Sequence, residues 1–359
     1  MKKMLMTPGP TAINERVRRA MAKPITNPDL DLEFYEFYKD ICEKLQKLLK
    51  TQNTTLVLSG EGILGLEAAC ASLIEQGDKV LCIENGIFGE GFADFVKIYG
   101  GEVEFFRGNR KRGINVEELK EFLKQNNDFK VATLVHCETP SGITNDIKEI
   151  CALLKEHNIL SVVDAVASIG GEEIKVDEWG IDIVLGGSQK CLSAPPGLTF
   201  MSISKDAWNK INGRKESIKS FYCNLGAWKD WYENKWFPYT QPISDLYAFN
   251  EALDMFFEDG KVIERHANLA AYCRSELANM GLELYAEDSY SNTVTTVMVP
   301  EGIDFKDIFE GMIQNGIMIG GAFGFLKDKV FRIGHMGENC FEEKIYMTLK
   351  GLKKVIENK

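Results

Sequence analysis

Apolar positions along the 359-residue chain follow two rhythms. Short unbroken runs, such as Leu56-Val57-Leu58, Val80-Leu81-Cys82-Ile83, Leu134-Val135, Val162-Val163 and Ile183-Val184-Leu185, each lead into small or polar turn residues. Runs of this length with such boundaries predict buried strands. Elsewhere apolar residues recur at helical spacing, most clearly over residues 31–49, where Phe34, Phe37, Tyr38, Ile41, Leu45 and Leu48 mark one face. The alternation of the two patterns over residues 54–204 predicts an α/β fold with a large, doubly wound, mostly parallel sheet and crossover helices. Beyond it, helices over 246–257, 262–280 and 305–314 and strands over 293–299 and 330–334 predict a smaller α+β domain. A short helix over 14–22, broken at Lys23-Pro24, follows the irregular segment Pro8-Gly9-Pro10-Thr11. The expected division is an N-terminal arm (1–20), a large domain (21–245) and a small C-terminal domain (246–359).

Composition narrows the class of protein. A hydrophobic content of 45% over this length supports more than one domain. The net charge of −11 argues against an extended surface for nucleic-acid phosphates. The nine cysteines form no CxxC pair, and most sit inside apolar runs, as reduced thiols in a cytoplasmic protein do. The apolar part of residues 1–8 is too short for a signal peptide, and no run of about eighteen apolar residues offers a membrane span. The four histidines are scattered, so no metal site is expected.

Candidate chemistry gathers at the strand ends. Gly186-Gly187-Ser188-Gln189-Lys190 turns the chain so that Lys190 faces an apolar floor. Desolvation there disfavours the ammonium and frees a neutral amine for Schiff-base chemistry. Asp164 closes the strand some twenty-five residues upstream, and parallel strands bring their carboxyl ends to one ligand. Pyridoxal phosphate needs both groups: an amine for its aldehyde and an acid that keeps its ring nitrogen protonated. Strand, glycine turn and helix at Ser59-Gly60-Glu61-Gly62 form a cup for its phosphate. Arg332, inside the apolar strand 330–334, is costly to bury without an anion and suits a substrate carboxylate. The letters Gly60 to Gly65 also satisfy GxGxxG, with Glu84 near the position of a ribose-binding acid. A nicotinamide-dependent oxidoreductase therefore stays open as a second reading.

Ser188-Gln189-Lys190, Asp164-Ala165-Val166-Ala167-Ser168, Pro8-Gly9-Pro10-Thr11 and Arg332-Ile333-Gly334 resemble, in order and over nearly the full length, the class V aminotransferases of the alanine-glyoxylate and serine-pyruvate branch. The resemblance implies the fold type I architecture of pyridoxal-phosphate enzymes, and transfer of an amino group from a small amino acid to a 2-oxo acid such as glyoxylate or pyruvate. It implies that Lys190 and Asp164 are catalytic and that Phe88 stacks on the cofactor ring. Gly60, Glu61, Gly62, Thr139, Val166, Gln189 and Thr240 complete the cofactor site, and Arg332 and Gly9 face the substrate. Thr240 is expected to reach the neighbouring site of a homodimer, with the aromatic stretch 221–240 as interface and active-site wall. Two positions depart from the pattern: Phe237 replaces a tyrosine, so that one phosphate hydrogen bond is either missing or supplied by Tyr239, and Glu61 stands beside the phosphate. Residues 320–324 read as a mobile loop near the substrate. A carbon-sulfur lyase or cysteine desulfurase would share this cofactor, but it calls for a histidine over the ring and a mobile cysteine. This chain offers Phe88 and Cys340.

Overall fold

The computed structural model describes residues 3–358. Its strands, in chain order, are β1 (Met4–Met6), β2 (Thr54–Ser59), β3 (Lys79–Glu84), β4 (Glu102–Arg107), β5 (Val131–Val135), β6 (Cys137–Glu138), β7 (Ile143–Thr144), β8 (Leu160–Asp164), β9 (Ile183–Gly187), β10 (Leu198–Ile203), β11 (Val294–Met298), β12 (Ile317–Gly321) and β13 (Val330–Gly334). Seven of them form the large sheet in the order β2-β10-β9-β8-β5-β3-β4. Only β10 runs against its neighbours. The apolar runs are continuous because helices cover both faces of such a sheet, and β5, β9 and β10 are buried along their whole length. The shared direction of β2, β3, β5, β8 and β9 opens all their carboxyl ends onto one edge of the sheet.

The helix expected over 31–49 is Leu32–Leu49, and the Asp31 side chain caps it by accepting the Glu33 N–H at 2.9 Å. Its buried face carries Phe34, Tyr35, Tyr38, Ile41, Cys42, Leu45 and Leu49. Tyr38 pins that face to the sheet, its hydroxyl donating to the Val57 carbonyl at 2.7 Å. The same face draws in part of the aromatic stretch expected to wall the active site. Phe237 stacks on Tyr35 at 4.7 Å and on Trp231 at 5.5 Å, while Trp228 stacks on Tyr38 at 5.9 Å. Trp228, Trp231 and Phe237 therefore belong to the large core, and Phe221, Tyr222 and Trp236 remain exposed.

The small sheet has the order β1-β12-β13-β11. Its core joins Met6 to Ile319, Phe331, Ile333, Ile345, Leu349 and Leu352. Residues Met4 to Met6 of the expected arm are thus an edge strand, paired parallel to Ile317–Ile319. Residues 320 and 321, read as part of a mobile loop, belong to β12 and pair with Arg332 and Phe331. Their glycines answer a packing need instead: a Cβ on Gly320 would lie 2.7 Å from Pro8 Cδ, and one on Gly334 only 2.3 Å from the Thr7 backbone. The arm lies flush on the sheet because these two positions carry no side chain. Gly334→Ala is expected to destabilise the protein by about 1–3 kcal/mol through overpacking, seen as a lower urea midpoint with an unchanged slope. No helix among the described residues is long and apolar enough to cross a membrane.

Candidate active site

Lys190 leaves β9 through a turn closed by its own backbone. The Ser188 N–H donates to the Leu198 carbonyl at 3.0 Å, and the Ala194 N–H to the Ser188 carbonyl at 2.9 Å. The amine projects into a cavity of about 200 Å³ lined by Gly9, Glu61, Gly62, Phe88, Thr139, Asp164, Val166 and Gln189, together with Pro10, Ile63, Leu66, Cys137 and Ala167. Nζ donates to the Pro8 carbonyl at 2.7 Å, which ties the N-terminal arm to the reactive group. Gly9 has a φ of +89°, and a Cβ there would come within 2.8 Å of Nζ, so only glycine lets the arm pass. Burial lowers the Lys190 pKa from its ordinary value; the Arg332 charge adds to this and Asp164 opposes it.

Asp164 ends β8, almost fully buried, with Oδ1 accepting the Val166 N–H at 2.9 Å. Burial pushes its carboxyl up to about 6, against the pull of the Val166 N–H and Lys190 and with a further push from Glu61. Glu61 itself is exposed at the N-cap of the helix Gly62–Leu73, and its side chain makes no capping hydrogen bond. Glu61, Gly62 and Ile63 line the cavity, so the positive end of the helix opens onto it, while the Leu64 N–H is taken by the Glu61 carbonyl at 2.9 Å. Gly60 takes a φ of +154°, and a Cβ on Gly62 would meet Val166 Cγ2 at 2.7 Å, so the glycines set how closely this cup approaches Val166. The Oε1 of Gln189 is buried without a protein partner. Phe88 sits in the first turn of the helix Ile87–Ile98, half-buried, its ring edge-on to Phe323 at 5.7 Å.

Arg332 approaches from the small sheet. Its Nε donates to the Gly321 carbonyl at 2.6 Å, and its guanidinium stands 5.9 Å from the Phe323 ring. Burial pulls its pKa down to about 10 with no acidic side chain opposing, as expected of a cation that awaits an anion. Thr240 lies elsewhere, exposed in a groove with Gln241 and residues 25–29.

The structure disposes of two rival readings. Glu84 is buried, its Oε1 2.6 Å from Arg107 and 3.8 Å from Arg110, and so is engaged within the protein instead of facing a ribose. Cys340 is fully buried, and its thiol is pushed up to about 12, mainly by burial. It is not a mobile nucleophile. One residue next to the cavity escaped the reading of the sequence: Glu138, fully buried, whose carboxylate accepts the N–H groups of Phe88 and Gly89 at 3.2 and 2.6 Å. Its only trace in the sequence is the pair Gly86 and Gly89, which leave room for it.

Known proteins resemble the chain along nearly its whole length. The family model described as Aminotransferase class-V matches residues 9–324. An uncharacterized aminotransferase of Methanocaldococcus jannaschii is 40% identical over 97% of this chain and 91% of its own length. The alanine–glyoxylate aminotransferase of Callithrix jacchus is 34% identical over 99% of this chain and 88% of its own. Among solved structures, the ureidoglycine–glyoxylate aminotransferase of Bacillus subtilis superposes with a TM-score of 0.96 at 33% identity, covering 100% of this chain and 94% of that one. A half-buried lysine and a buried carboxylate on one sheet edge, on a fold shared end to end with these enzymes, place the chain in the class V aminotransferase family.

Proposed function

We propose that the enzyme takes the amino group of a small amino acid and passes it to glyoxylate or pyruvate, using pyridoxal phosphate held at Lys190. The observation that carries this reading is the convergence of the Lys190 amine and the buried Asp164 carboxylate on one cavity, with the Arg332 guanidinium, which meets no carboxylate among the described residues, near enough to lower the lysine's pKa. The named activities of the Callithrix and Bacillus relatives, both with glyoxylate, support the acceptor.

The residues present fit the cofactor. A helix N-terminus without a side-chain cap suits a phosphate, and Asp164 suits a protonated ring nitrogen. When bound, pyridoxal phosphate supplies an aldehyde that captures amines and a ring that draws electrons from the substrate's α-carbon. Glu61 and Gly62 would hold the phosphate through backbone N–H groups, aided by the Nε2 of Gln189, while Gly60, whose own N–H donates to the Gly197 carbonyl at 2.8 Å, shapes the turn that presents them. Phe88 and Val166 bracket the ring, and Thr139 offers its hydroxyl to the ring's edge. Asp164 keeps a proton at the ring nitrogen. Lys190, with its ammonium form disfavoured, serves as the nucleophile and then as the base that takes the substrate's α-proton on Nζ. Arg332 orients the carboxylate beside Gly9.

The exposed Thr240, which does not line its own cavity, and the exposed Phe221, Tyr222 and Trp236 support a homodimer in which Thr240 completes the partner's phosphate site. With Phe237 in the core of its own subunit, the phosphate contact of the missing tyrosine has no substitute at that position. Nine free, buried cysteines favour the cytoplasm.

The test is an absorbance titration. Purified protein supplied with pyridoxal phosphate should develop a visible band that one small amino acid bleaches without any acceptor and that glyoxylate or pyruvate restores. A protein that develops no band is not this enzyme. Arg332→Gln should raise KM for the amino acid about 10- to 100-fold, the worth of a charged hydrogen-bonded contact, and leave the visible band in place.

A further inference from the structure

The carboxylate of Glu138 lies behind the cavity and takes no part in the chemistry derived above, yet everything around it is arranged to hold it. It is fully buried, with Oε1 2.6 Å from the Gly89 N–H and Oε2 3.2 Å from the Phe88 N–H, at the positive end of the helix Ile87–Ile98. The Glu138 carbonyl also accepts the Gly142 N–H at 2.8 Å and the Ser141 N–H at 3.2 Å, closing the turn that presents Thr139. Two glycines make room for the side chain: a Cβ on Gly86 would lie 2.5 Å from Glu138 Cδ, and one on Gly89 would lie 3.3 Å from Oε1. Gly86 has an extended φ of −171°, so its lack of a side chain serves this contact and not the backbone conformation.

From this arrangement we infer that Glu138 is a positioning residue for the cofactor ring: its carboxylate caps the helix of Phe88 and thereby fixes the ring that faces the cofactor. The inference rests on the reading of the cavity as a pyridoxal-phosphate site. The two bonds are shielded from water and hold the first turn of that helix; they pull the carboxyl down against the burial that raises it to about 7. Glutamine cannot replace the carboxylate, because one of its two terminal atoms is itself a donor and meets an N–H head-on.

A double-mutant cycle tests this, with the dissociation constant of pyridoxal phosphate from the apoprotein and the visible circular dichroism of the bound cofactor as readouts. Glu138→Gln should weaken the cofactor about 10- to 100-fold, the cost of leaving a buried N–H without its acceptor, and reduce the dichroic band. In the Phe88→Ala background the same substitution should change affinity by less than about threefold, because the residue it acts through is gone. Gly86→Ala displaces the carboxylate without removing it and should weaken the cofactor in the same direction, so it serves if Glu138→Gln does not fold. The assignment is overturned if Glu138→Gln binds like wild type, or if its full effect persists without the Phe88 ring. A wild-type protein with no visible band would instead overturn the aminotransferase reading itself.

Discussion

Lys190→Ala should abolish transamination, with single-turnover rates falling by at least about 10⁴-fold, since in the proposed reaction the residue supplies both the nucleophile and the proton carrier. The apoprotein should fold normally. The substitution removes one hydrogen bond, to the Pro8 carbonyl, and a cation whose burial was unfavourable. Two readouts separate lost chemistry from lost structure. Borohydride treatment of the loaded wild type should fix the cofactor on the peptide containing Lys190, and the variant should retain none. A small primary amine added to the variant should restore part of the rate, because the cavity around the missing side chain persists. If the variant keeps rates within tenfold of wild type, another base moves the proton and the assignment of Lys190 is wrong.

The second large effect is expected at Asp164, where activity and stability should move in opposite directions. Asp164→Asn preserves the acceptor for the Val166 N–H but not the negative charge. The loaded enzyme should lose about 100- to 1000-fold in kcat, the scale of leaving a buried charge without its partner. For the apoprotein the sign reverses. The folded carboxyl titrates at about 6 against an ordinary 3.8, so between these values the native state holds more protons than the unfolded chain. The stability this group contributes is present below the lower value and lost as pH rises through the upper one, a change on the order of 3 kcal/mol. Measured against the asparagine variant, wild-type apoprotein should therefore lose relative stability from about pH 4 to pH 7. At pH 8 the variant should melt no lower than wild type. A variant less stable at pH 8 than at pH 5, relative to wild type, would show that the carboxylate is a structural asset instead of a charge held ready for the cofactor.

Much of this site was legible because its residues sit where the sequence pattern changes. Asp164 and Lys190 each follow an apolar run, and a run that ends in turn residues marks both a strand and its carboxyl edge. Glycines at 60 and 62 announced a helix start without side chains in the way. Glu138 was not legible, because its partners are backbone N–H groups some 50 residues away and no side-chain type there need reveal them. The pairing of Met4–Met6 with the small sheet escaped notice because three residues are too few to show a period. Gly320 and Gly321 read as a loop because glycine usually marks one; here they clear space for the arm and for Phe305. The aromatic stretch misled in the same way, since side chains suited to an interface are equally suited to a core when an aromatic helix face lies opposite.

The parallel pairing of Met4–Met6 with β12 has a mechanical consequence. Pro8 follows this edge strand by two residues, and Arg332 lies on β13, bonded to the same β12, so the acceptor of the lysine's hydrogen bond and the guanidinium proposed to bind the substrate ride on one sheet. The carbonyl has no freedom of its own. If Arg332 takes the substrate carboxylate as proposed, any movement of the small sheet that carries the guanidinium towards it carries Pro8 as well, and the distance from Nζ to its resting partner becomes a gauge of that grip.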